Sequence, residues 1–119
     1  MSGGDSTPPP RPIRVSDRQA QRKFAHASPF GVRGRYNLEN RELFKAALVA
    51  HVNDPATEVL RGTYRRGAAA GGFPAVFYLN RSNRLIVVVD RGGNFVTGFR
   101  LTRAQLWHVE TSGKLGGAP

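Results

Sequence analysis

Cysteine is absent from this chain, which excludes disulfide staples and thiolate metal sites alike. No long hydrophobic run is present either. The longest, Leu85-Ile86-Val87-Val88-Val89, has strand length, far short of the roughly 20 apolar residues of a membrane-spanning helix. The N-terminus carries no apolar segment that would serve as a signal peptide, so export would require another carrier. Acidic residues are few: 8 Asp and Glu face 18 Lys and Arg, a net charge of +10 and a pI near 11.4. There is no His-x-x-x-His pair and no run of carboxylates, so no metal site and no cofactor are expected. What remains is a chain of 119 residues, enough for one core held by packing alone.

The cations are mostly Arg; the only lysines are Lys23, Lys45 and Lys114. Arg offers a planar fork that matches phosphate and stacks on bases, which points to nucleic acid as the partner. The charge is unevenly spread. Between Arg61 and Arg100 lie seven Arg (61, 65, 66, 81, 84, 91 and 100) against the single acid Asp90, with Tyr64, Phe73, Tyr78, Phe95 and Phe99 among them. Aromatic rings among guanidinium groups suit looped or single-stranded RNA, although each ring can equally be core. Residues 39–58 hold Glu39, Glu42, Asp54 and Glu58 and read as a solvated helical back.

Along the chain, residues 1–20 read as a flexible Pro/Gly-rich tail or linker, with Pro8-Pro9-Pro10 and Pro12 unfit for helix or central strand. A short helix is expected over 17–27, capped by Asp17 and stopped ahead of Pro29. The clearest helix spans 38–53: Asn37 caps it, and Leu43, Phe44, Ala47, Leu48 and Val52 share one face. A brief helical segment is expected from Pro55 to Leu60. Strands are expected over 60–65, 75–79, 85–89 and 94–101, the third too apolar to have a wet face. A small-residue loop over 67–72, a turn over 80–83 and a tight hairpin over 90–93 separate them. Thr102 and Gln105 form a capping box for a short helix to His108, and 111–119 reads as a polar tail. The fold class is α+β: N-terminal helices on a four-stranded antiparallel meander with a short C-terminal helix.

Histidine is the natural proton carrier near neutral pH. Of the three, His51 sits beside the apolar face of the main helix and His108 at the end of the last one, where structural roles suffice. His26 stands in a basic stretch just before a chain break. RNA carries its own nucleophile, the 2′-hydroxyl, so one proton carrier with cations around the phosphate suffices to cut it. Cleavage of DNA commonly recruits metal ions. The residues thus favour RNA cleavage over DNA cleavage, but by themselves they do not separate a ribonuclease from an RNA binder.

Five local motifs follow one another in order: Lys23-Phe24-Ala25-His26-Ala27-Ser28-Pro29-Phe30-Gly31, Gly62-Thr63-Tyr64, Tyr78-Leu79-Asn80, the segment from Gly93 to Thr102, and Thr111-Ser112-Gly113-Lys114-Leu115. In this order and spacing the chain resembles the colicin D-type tRNases over residues 22–117, making 21–117 a nuclease domain. The resemblance implies metal-independent cleavage in the anticodon loop of tRNA, with arginine tRNAs as the family's substrate. It implies attack by the 2′-hydroxyl to leave a 2′,3′-cyclic phosphate. An acidic immunity or antitoxin protein is the implied partner, and the domain is expected to be a monomer. Its place of action is the cytoplasm of a target bacterium after delivery by a larger protein, or its own cytoplasm if it is a free-standing toxin. His26 falls on the family's catalytic histidine, Lys23 on a phosphate-side lysine, Thr97 on an active-site serine and Phe99 on a tryptophan. Thr97 and Phe99, two apart in a strand, share a face; Arg100 replaces a lysine and points the other way. Ala25 stands where the family often has lysine, and Pro29 where aspartate is usual. Arg22, Arg65 and Arg66 are candidates to supply the missing charge, and with Arg100 and Phe99 they complete the expected substrate-binding set. The alternatives are a non-catalytic RNA- or DNA-binding module and a related toxin ribonuclease acting on mRNA or rRNA.

Overall fold

The computed structural model describes residues 11–66 and 71–116. The first ten residues of the expected tail, most of the 67–72 loop and the last three residues of the chain lie outside that range. Three helices, α1 (Asp17–Arg22), α2 (Leu38–Asn53) and α3 (Arg103–Ser112), accompany five strands: β1 (Glu58–Arg65), β2 (Gly72–Asn80), β3 (Leu85–Asp90), β4 (Phe95–Arg100) and β5 (Lys114–Gly116). The sheet order is β4-β3-β2-β1-β5. The expected antiparallel meander is present as β1 to β4. The expected polar C-terminal tail instead supplies β5, which pairs parallel to β1 through Thr63↔Lys114, Tyr64↔Leu115 and Arg65↔Gly116, so the sheet is mixed.

The strand β3 is buried from Leu85 to Val89 because both faces of the sheet are covered. Val87 and Val89 pack with Phe44, Leu48 and Val52 of α2. Ile86 and Val88 pack on the other face with Phe77, Phe99, Leu101 and Val109 of α3. A bulge between Val88 and Val89 lets Val88 face Thr97 while Val89 faces Phe95.

The helix α2 runs where its periodicity and cap place it: the Asn37 side chain accepts the Asn40 amide at 2.7 Å. Its inner face is Phe44, Leu48, His51 and Val52, whereas Leu43 is 51% exposed. The stripe is rotated toward His51, whose Nε2 bonds the Tyr78 carbonyl at 2.8 Å. No helix follows Pro55. The Asp54 carboxylate accepts the Ala56 amide at 2.8 Å, the Thr57 hydroxyl donates to the His51 carbonyl at 2.7 Å, and this turn feeds β1 directly.

Residues 11–16, assigned to the tail on sequence, lie against the domain. Arg11 donates to the carbonyls of Val52 (3.2 Å) and Thr57 (3.1 Å). Arg14 forms a parallel bridge with Asn94, and Ile13 and Val15 pack on the α2-side core. Proline forbids helix here but not an extended arm whose alternate residues are apolar.

Burial disfavours the charged form of His51 and holds its pKa below the ordinary 6.5, against the opposing pull of the Tyr78 carbonyl and Asp54. The unfolded chain therefore binds a proton that the folded one resists. Stability is complete above pH 6.5 and falls as the pH drops through that value toward the folded pKa. His51→Gln keeps an amide donor without a titrating ring. Urea midpoints measured from pH 8 to 5.5 are expected to decline more steeply in the parent than in this variant; parallel slopes would contradict the assignment.

Candidate active site

The segment carrying His26 is not the single helix expected over 17–27. The chain starts α1 with Ser16, whose hydroxyl accepts the Gln19 amide at 3.1 Å. It leaves the α conformation at Lys23 and continues as two 3-10 turns, Phe24–His26 and Ser28–Phe30. Pro29 falls in the first turn of the second, where an amide hydrogen is not needed. The tighter path also delivers Phe24 and Phe30 to Phe44, with ring centroids 5.9 and 6.1 Å apart, and Phe44 meets Phe95 at 6.3 Å. These rings clamp the segment to the β4 edge of the sheet. Gly98, between Thr97 and Phe99, permits the approach. A Cβ there would stand 3.2 Å from the Phe30 ring and 3.3 Å from both the Ile86 carbonyl oxygen and Leu48.

His26 ends the first turn half-buried, its ring centroid 5.9 Å from that of Phe99 at a tilt of 48°. Residues 73 positions apart in sequence thus meet across the β4 edge. Lys23, three residues before His26, is half-buried too. Burial, then the guanidinium groups of Arg66 and Arg22, hold its ammonium below the usual lysine value. Among the described residues the charged groups that bear on it, Arg66 and Arg22, are cations, an arrangement suited to an anion. Arg66 also lies over the Phe73 ring at 5.8 Å.

His26 thus meets Phe99, and Lys23, whose carbonyl accepts the His26 amide, feels the charge of Arg22 and Arg66. Thr97 and Phe99 share a face, as their spacing requires, opposite Val88 and Ile86. That face is inside: Phe99 is 4% exposed and Thr97 0%, and the Thr97 hydroxyl has no hydrogen-bond partner among the described residues. As packed, neither offers a surface for phosphate contact or base stacking. Arg65 is exposed at the end of β1, opposite Gly72 and Gly116. Arg100 is turned away to the β2–β3 turn, donating from Nε to the Asn83 carbonyl at 3.2 Å. Arg81 is committed to Glu58 and Glu110. His51 is structural, and His108 is exposed beside Trp107.

Clefts open beside the His26 turns and beside α1. One, of about 370 Å³, is lined by Phe24, Ala25, Arg33, Arg35 and Tyr36 among others. The second, of about 630 Å³, lies between the N-terminal arm and the β3–β4 hairpin and reaches Arg66. Sequence reasoning singled out neither Arg14 nor Gln19 of this second cleft. The alternation Ile13-Arg14-Val15 was the available signal, masked by the surrounding prolines.

Residues 19–109 match the Colicin D family. Colicin-D from Escherichia coli is 30% identical over 89 residues, covering 74% of this chain and 12% of that protein, so the chain spans about 12% of this relative's length. A chain in the structure of a ribonuclease from Escherichia coli complexed with its inhibitor protein superposes with a TM-score of 0.65 at 26% identity. That superposition covers 82% of this chain and 100% of that one. A match through α1, the His26 turns, the meander and most of α3 shows that the chain belongs to the colicin D family.

Proposed function

We propose that this chain is the ribonuclease domain of an antibacterial toxin and cuts tRNA in the anticodon loop, arginine tRNAs being the first substrates to try. The observation that carries the reading is the His26 imidazole set beside Phe99, three residues from an ammonium crowded by Arg22 and Arg66. A solved relative is a ribonuclease from Escherichia coli complexed with its inhibitor protein. An acidic immunity protein is the matching partner for a chain of net charge +10.

The chemistry follows from these parts. His26 accepts the proton of the ribose 2′-hydroxyl as the 2′-oxygen bonds to phosphorus. The P–O5′ bond breaks, the 5′-oxygen leaves as an alcohol on taking a proton from solvent, and a 2′,3′-cyclic phosphate remains. Lys23 sits where charge grows on the non-bridging oxygens. Its repulsion with Arg66 and Arg22 is relieved most when that charge is greatest, which is transition-state stabilisation. No metal ion is needed in this scheme. Thr97 and Phe99 take supporting parts: the Phe99 ring sets the attitude of the imidazole, and Thr97 backs it from within the sheet.

The wild-type chain, incubated with total tRNA in EDTA, is expected to give two fragments per cut molecule, the 5′ fragment ending in a cyclic phosphate. Binding of tRNA without cleavage would leave a nucleic-acid-binding module. Cleavage confined to mRNA or rRNA would move the substrate class.

A further inference from the structure

The cleft between the arm and the hairpin has a feature that the family match does not supply: part of its wall comes from residues upstream of residue 19, where that match begins. The arm is zipped to the start of β4. The Arg14 amide donates to the Gly93 carbonyl, the Phe95 amide donates to the Arg14 carbonyl, both at 2.8 Å, and the Arg14 guanidinium bonds Asn94 Oδ1 at 3.2 Å and the Gly92 carbonyl. The floor is apolar, made by Val15 and Phe95. Two carboxamides border it. Gln19 is held by donating to the Val96 carbonyl at 2.6 Å, and Asn94 by donating to the Asp90 carboxylate at 3.2 Å. Arg66 lines the cleft and is also one of the two guanidinium groups whose charge bears on Lys23, so it links the cleft to the cluster beside His26.

We propose that this cleft is a nucleotide subsite, holding a nucleotide of the RNA strand next to the one being cut, and that the arm, through Arg14, sets its grip. This rests on the reading of the partner as RNA. The volume, about 630 Å³, lies in the range of roughly 300–1,000 Å³ typical of small-molecule sites. The floor takes a base, the carboxamides read its polar edge as donors and acceptors, and Arg14 and Arg66 take the phosphates on either side. A guanidinium has five N–H donors, and the two that fasten Arg14 to the hairpin leave others for a phosphate. Asp90, the acid in the cleft, is engaged by the amides of Gly92 and Asn94, each at 2.9 Å, so it shapes the turn and does not repel the strand freely.

The test uses the full chain carrying His26→Ala and a short single-stranded RNA with 2′-methoxy riboses, which cannot be cut. Amide resonances of Val15, Gln19 and Val96 are expected to shift on titration. Arg14→Ala is expected to weaken binding about tenfold, the loss typical of a charge-assisted hydrogen bond, with Arg14→Lys recovering part of it. Should Arg14→Ala lower the melting temperature, Gln19→Ala provides the second arm, expected to weaken binding severalfold. Shifts confined to Lys23 and Arg66, with the arm unmoved and affinity unchanged in both variants, would overturn the subsite. Arm shifts in a chain whose wild type leaves tRNA whole would retire the ribonuclease reading and keep the subsite.

Discussion

Replacing His26 by alanine is expected to lower tRNA cleavage about 10²–10⁴-fold, the range that a positioned proton carrier contributes. That corresponds to about 3–5 kcal/mol of barrier at about 1.36 kcal/mol per decade. The fold should survive. His26 is held in its turn through backbone bonds, its amide donating to the Lys23 carbonyl at 2.9 Å and the Ala27 amide to the Phe24 carbonyl at 2.9 Å, and alanine keeps both. Affinity for tRNA should change by less than about threefold, because Lys23, Arg22 and Arg66 are untouched and phosphate contacts dominate such binding. The measurements are single-turnover cleavage, which reads chemistry, and filter binding at fixed salt, which reads the complex. A variant that binds and cuts like the parent would remove the imidazole from the chemistry. One that neither binds nor melts cooperatively would give His26 a structural part. Lys23→Ala discriminates further: it should weaken both binding and chemistry, since its ammonium meets the phosphate in the ground state and more strongly as charge grows in the transition state.

The parts of the fold that the sequence made legible are those coded locally. The helix α2 announces itself by Asn37 and a 3.6-residue stripe, and α3 by the reciprocal Thr102–Gln105 box, which is present with both bonds formed. The apolar run Leu85–Val89 predicts a central strand, and the sheet places it between β2 and β4. What escaped is coded by partners far away. Nothing in Lys114-Leu115-Gly116 marks a strand; it becomes one because Gly113 ends α3 against β1. The arm at 11–16 looks like linker because proline dominates it, yet its apolar residues find a core and Arg11 finds the open end of α2. For the site, alternation in β4 gave the shared face of Thr97 and Phe99 but not that this face is covered. That depends on Leu101 and Val109, which pack in the same core cluster as Phe99. The pairing of His26 with Phe99 came from family likeness. No local property of either residue foretells a contact across the β4 edge. The crowding of Lys23 by Arg66 was foreshadowed only by the density of Arg after β1.

Gly62→Ala is expected to be the most damaging single methyl group that can be added to this sheet. A Cβ at that position overlaps the carbonyl oxygen of Gly113 and comes within 2.6 Å of the Phe77 ring, and neither has room to yield. The Gly113 oxygen is backbone and accepts the Thr63 amide at 2.9 Å; Phe77 is wholly buried in the core under α3. Relieving the overlap means moving β1 off the end of α3, which breaks that bond and the parallel pairing of β1 with β5. Overpacking of this kind costs about 3 kcal/mol or more, which for a domain near 100 residues lowers the melting temperature by about 12–24 °C. Gly71→Ala is the matched control. Among the described residues nothing lies within 4 Å of its Cβ position, so the same methyl should leave stability unchanged or raise it by up to about 1 kcal/mol through the unfolded chain. Thermal melts of the two variants side by side decide the matter. The difference reaches the site as well, because Arg66 follows directly on β1. A chain that tolerates Gly62→Ala with its strand displaced should bind tRNA less tightly, whereas Gly71→Ala should not alter binding. Equal melting temperatures for the two variants would mean that β1 and Gly113 do not meet as closely as the sheet requires.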